Sequence, residues 1–135
     1  MSTAPIECDE FVPHPPATVW RALTESELLA RWWAPGDIDP VMGHRFELDM
    51  GPWGLQACRV VEVETERLLS YTFGEGSLDS TITWRLVPEG TGTRVFLTHE
   101  GLDLGSPRGR QAYDGMGKGW PSVLARIAQA VPAGS

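Results

Sequence analysis

From His44 to His99 the chain repeats a single pattern, with apolar residues at alternate positions interrupted by short turns rich in glycine and proline. Phe46, Leu48 and Met50 alternate with polar neighbours, and Gly51-Pro52-Trp53-Gly54 turns the chain. Leu55 to Val63 comes next, long enough to require a bend or bulge. After Glu64-Thr65-Glu66-Arg67, one strand face carries Leu69, Tyr71 and Phe73. Gly74-Glu75-Gly76 then leads to Ile82, Trp84 and Leu86, and Pro88 to Gly92 leads to Val95, Leu97 and His99. Five strands joined by such short loops form an antiparallel meander, and its apolar face must be covered by another element.

The C-terminal segment is the element available to cover it. Tyr113, Met116, Trp120, Val123, Leu124, Ile127 and Val131 recur at three- and four-residue intervals, and Ser106-Pro107 supplies a cap and a first helical position. One long helix is expected. Gly115, Gly117 and Gly119 each cost it about 1 kcal/mol relative to alanine, and Pro121 removes an amide donor, so a kink or a mobile first half is expected. A curved sheet facing a helix with so little side-chain volume does not fill to normal packing density, and a cavity follows.

Ahead of the meander, Ile6 to Val12 reads as a strand ended by Pro13-His14-Pro15-Pro16. Val19, Trp20 and Leu23 line one face of a short helix that begins near Pro16. Thr24-Glu25-Ser26-Glu27 has the form of a capping box, which starts a second helix at Glu25 and carries Leu28, Leu29 and Trp32 on one side. Ala34-Pro35-Gly36 stops it near Trp33. Ala34 to Gly43 reads mainly as a loop, with Ile38 and Val41 as the pair able to form an edge strand.

Three stretches together are distinctive: Val19-Trp20-Arg21-Ala22-Leu23 running to Arg31-Trp32-Trp33, Gly92-Thr93-Arg94-Val95-Phe96-Leu97-Thr98-His99-Glu100-Gly101, and the late Gly119-Trp120. In this order the chain resembles the activator-of-heat-shock-protein-ATPase homologue family of the START-like (SRPBCC) superfamily over nearly its whole length. The resemblance implies an α+β helix-grip fold. In that fold a curved antiparallel sheet of about six strands, with two short helices after the first, wraps around a long C-terminal helix with a cavity between them. It implies less about activity, since the family holds binding proteins, chaperone partners and a few enzymes.

At 135 residues and 41% hydrophobic composition, residues 1–135 suit a single domain. The formal charge of −7 opposes binding to phosphate backbones and anionic lipid surfaces, so no nucleic-acid partner is expected. Arg108, Arg110 and Lys118 read as a solvated face. With no basic start followed by an apolar run, and no stretch of about 18 apolar residues, neither a signal peptide nor membrane insertion is expected and the location reads as cytoplasmic. Cys8 and Cys58 read as small hydrophobes rather than a disulfide.

The alternation turns a predominantly aromatic set inward: Trp32, Trp33, Phe46, Leu48, Met50, Tyr71, Phe73, Trp84, Leu97, His99, Met116 and Trp120. Such a lining suits a flat, apolar or aromatic ligand with one or two polar groups, read by Tyr71, His99 or an indole N–H. Each of these aromatics, taken singly, reads first as ordinary core packing. The sequence has no nucleophile elbow, phosphate-cradling loop, dinucleotide fingerprint or metalloprotease motif. No cofactor is implied. His14, His44 and His99 lack the spacing of a metal site. His99 is the available general acid or base and Tyr71 a second candidate, although a histidine satisfied by one pocket hydrogen bond is the better reading of His99. Three functions stay open: a carrier or sensor of a small hydrophobic molecule or lipid, a lyase, cyclase or hydrolase using His99 and Tyr71, and a chaperone-activator-like module of the stress response. A homodimer also stays open. No additional chaperone-docking domain is expected, which weighs against the third reading.

Overall fold

The computed structural model describes residues 5–76 and 78–130. Strand β1 (Ile6–Val12) is followed by helices α1 (Pro16–Thr24) and α2 (Ser26–Trp32), then by β2 (Arg45–Asp49) and a 3₁₀ turn at Gly51–Trp53. The meander continues through β3 (Leu55–Glu64), β4 (Leu68–Phe73), β5 (Ser80–Glu89) and β6 (Gly92–Glu100), and helices α3 (Pro107–Leu124) and α4 (Ile127–Ala130) close the described chain. All strands pair antiparallel in one sheet of order β1-β6-β5-β4-β3-β2, so the first strand returns to pair with the last. This is the expected α+β architecture. The bulge required of the long third strand falls between Val60 and Glu62, where the β3–β4 register shifts by one residue.

Three local expectations are corrected. Thr24 does not cap α2: it is the last residue of α1, and its hydroxyl donates to the Trp20 carbonyl at 2.8 Å, while α2 begins at Ser26 with no side-chain cap. A threonine one turn past an open carbonyl satisfies that carbonyl from within its own helix, and this local bond wins over capping the next. The edge pairing of the loop after α2 involves Gly36 rather than Ile38 or Val41. Gly36 bridges Leu48, and the Asp49 N–H bonds to the Pro35 carbonyl at 2.8 Å. Glycine is required there because a Cβ would lie 2.6 Å from the Glu47 carbonyl. Lastly, the C-terminal segment is two helices: α3 stays helical through all three glycines and Pro121, then breaks before α4. Val131 lies outside the described residues.

The inward face of the sheet is shared between two covers. Helix α1 packs on β5 and β6, and α4 packs on both α1 and α2, while α3 lies over β1. Trp32 Nε1–H donates to the Ala22 carbonyl at 2.8 Å and locks α2 to α1. On α3 only Gly109, Trp120 and Leu124 are buried, so this helix is anchored at its two ends and leaves space beneath its middle.

Candidate functional site

That space is a cleft of about 640 Å³ between α3 and one end of the sheet. Its sheet side is built from Met50 at the end of β2, Pro52, Leu55 and Gln56 across the turn, Phe73 at the end of β4 and Leu78 before β5. Trp33, just past α2, forms its inner wall. Along α3 the contributors are Arg108, Gln111, Ala112, Gly115, Met116, Gly119, Trp120 and Val123, a stripe at helical spacing. Gly115 and Gly119 both line the cleft, and a Cβ at either would enter open space with no atom within 4 Å. Leu55 is 61% exposed and Arg108 and Gln111 are also exposed, so the cleft opens to solvent on that side.

The floor is an aromatic cluster. Trp33 lies 5.1 Å from Trp120 and stacks on Phe73 at 6.0 Å, and Trp84 meets Trp120 edge-on at 5.7 Å. Behind it runs a hydrogen-bond chain whose proton positions are fixed by chemistry. Trp120 Nε1 can only donate, and does so to His99 Nδ1 at 3.2 Å. His99 therefore carries its proton on Nε2 and donates to Ser80 Oγ at 2.9 Å, and Ser80 in turn donates to the Phe73 carbonyl at 2.9 Å. Two cleft residues, Trp120 and Phe73, are thus tied together by two buried side chains that do not line it.

His99 is fully buried, and desolvation pushes its pKa down to about 4, so the ring is neutral near pH 7. Its Nδ1 lone pair and its Nε2 proton are both engaged. Tyr71 is likewise enclosed: its hydroxyl accepts from Trp84 Nε1 at 2.8 Å, and burial raises its pKa. Neither group lines the cleft. Of the twelve residues that alternation turns inward, Trp33, Met50, Phe73, Met116 and Trp120 line the cleft. Trp32, Phe46, Leu48, Tyr71, Trp84, Leu97 and His99 sit in the core around it. The reason is that period two assigns a residue to a face of the sheet but not to the helix that covers it.

Sequence reasoning missed Ser80, although it occupies the inward parity of Ile82 and Trp84, and a polar residue in an inward series is the signal that marks it. It also missed the cleft's polar residues Gln56, Arg108 and Gln111. Arg108 was assigned to a solvated face, and it is exposed, but it borders the opening. Cys8 and Cys58 are both free, with burial pushing the Cys58 thiol up to about 12. They lie on β1 and β3, four strand spacings apart, about 19 Å and beyond disulfide reach.

The profile described as Activator of Hsp90 ATPase homolog 1-like protein matches residues 13–132. The chain belongs to this family. Among solved structures of the same fold, an Activator of Hsp90 ATPase homolog 1-like chain such as this one is similar to a protein from Mesorhizobium loti, at 33% identity over 94% of this chain and 96% of that one, with a TM-score of 0.82. It is also similar to a Bacillus halodurans protein at 27% identity, covering 98% of this chain and all of that one, with a TM-score of 0.81. The Aha1 dimer from Colwellia psychrerythraea shares the fold at 18% identity, covering 98% of both chains, with a TM-score of 0.78. No curated protein matches the chain. The fold is therefore the START-like helix grip, and no helix among the described residues is long and apolar enough to cross a membrane.

Proposed function

We propose that this protein binds a small apolar or aromatic molecule, a lipid-like compound included, in the cleft under α3. The observation that carries this reading is the pair Gly115 and Gly119. Helix propensity disfavours both, yet they stand where a side chain would enter open space bordered by Trp33, Met116 and Trp120. A volume of about 640 Å³ lies within the usual range for small-molecule sites. The stacked and edge-on rings present flat apolar surfaces to a ligand, and Trp33 is the cluster tryptophan whose indole N–H is not spent on a partner among the described residues. His99 and Ser80 act here as positioning residues that hold Trp120 and Phe73. Two free thiols suit a reducing setting such as the cytoplasm.

Mass spectrometry of the protein isolated under native conditions tests this reading. A copurifying molecule that is displaced by a hydrophobic probe, with quenching of tryptophan fluorescence, is the expected result. Unmodified protein that binds no probe would contradict it. A chaperone partner and a dimer are second readings, supported by the family's description and by the Aha1 dimer. Stimulation of a purified chaperone ATPase and sedimentation of the protein distinguish them from ligand binding alone.

A further inference from the structure

We infer that the ligand is an elongated amphiphile bearing one negative charge, with its acidic end on Arg108 and its apolar body running along α3 to Trp120. This rests on the binding reading above and adds the chemical class of ligand and its direction.

The length comes from helix geometry. Arg108 and Trp120 are twelve residues apart on one helix, a rise of about 18 Å. The lining follows α3 from Arg108 to Val123, so a ligand lying along the helix is an extended chain or a row of rings. Its middle is kept open by Gly115 and Gly119. Polarity then changes along it. The floor at Trp120 and Phe73, each 1% exposed, is apolar, and the mouth is bordered by the exposed side chains of Arg108 and Gln111.

The sign comes from the composition of the lining. Among the described residues Arg108 is the only charged one in the lining, and none of those lining residues is a carboxylate. On a chain of net charge −7 with eighteen acidic residues, that is the opposite of what the surface average would place there. Arg108 forms no ion pair among the described residues, whereas Arg21 and Arg94 are each held by carboxylates. A carboxylate, sulfonate or phosphate end would find a free guanidinium fork and the Gln111 side-chain amide, and a cationic end would find no partner.

Two fluorescent probes of the same ring framework separate charge from apolar fit: anilinonaphthalene sulfonate, which is anionic, and phenylnaphthylamine, which is uncharged. Arg108→Gln is expected to weaken the anionic probe by roughly five- to tenfold and leave the neutral probe unchanged. Arg108→Lys should keep most of the affinity. Arg110→Gln, outside the lining, controls for a general loss of surface charge. Equal binding of the anionic probe by the unmodified protein and by Arg108→Gln, with the neutral probe still bound, would overturn the charge assignment and leave the cleft as a binding site. Failure of the unmodified protein to bind either probe would overturn both.

Discussion

His99 is where a single side chain decides most about the site. Its folded pKa of about 4 lies below the value of about 6.5 for an exposed imidazole, so as pH falls the unfolded chain takes up the proton first. Neutral His99 therefore contributes stability in full above about pH 6.5, and this contribution is lost progressively down to about pH 4. Between pH 7 and pH 5 the loss is roughly 2 kcal/mol. Urea unfolding at the two pH values should show it, and His99→Gln should remove most of that slope. An unchanged slope in the variant would mean that His99 is not buried neutral. Protonation would also turn Nδ1 from acceptor to donor, facing the Trp120 N–H with a second donor, so the cleft floor and the pH response are linked. Thr24 carries a smaller prediction. Thr24→Ala removes the bond to the Trp20 carbonyl and should cost about 1 kcal/mol, seen as a shift in denaturation midpoint. This is the magnitude that a lost cap would give, so the mutant measures the bond without restoring the cap reading.

Helix α3 is set by its first turn and its last. Ser106 accepts from the Gly109 amide at 3.0 Å and donates to the Asp103 carbonyl at 3.2 Å, and a side chain at Gly109 would collide with the Asp103 backbone. Ser106→Ala should cost about 1 kcal/mol and speed amide exchange through the first turns of α3, while Trp120 and its neighbours stay protected. Uniform exchange along the helix would contradict an anchor at each end. This helix also shows what was legible in advance. Ser106 and Pro107 mark its start, and alternation from Phe46 to His99 marks every later strand, because caps and period two are local signals. Tertiary partners are not local. Helix α1, backed by α2 and α4, covers part of the sheet that the sequence assigned to one long helix, and Trp32, Trp84 and Leu97 lie in the core rather than in the lining. Ser80 escaped for a related reason, since its role exists only through the pairing that sets it beside Phe73 and His99.

At the scale of the whole molecule, an open six-stranded sheet with β1 and β2 at its edges is roofed by a helix that is anchored at its ends and hollow beneath its middle. Packing alone would fill that hollow, because apolar voids cost stability and glycine weakens a helix. The central claim is that the space is kept for a ligand, and Gly119→Leu tests it most directly. A Cβ there meets no atom within 4 Å, and leucine is the better helix former by nearly 1 kcal/mol, so the substitution suits the helix while its side chain enters the cleft. The measurement is phenylnaphthylamine affinity alongside the urea denaturation midpoint of the same variant. The account predicts a midpoint equal to or above that of the unmodified protein, with affinity reduced by more than about tenfold as leucine occupies the ligand's space. Unchanged affinity would show that the probe binds elsewhere, and would contradict the cleft under α3 as the binding site.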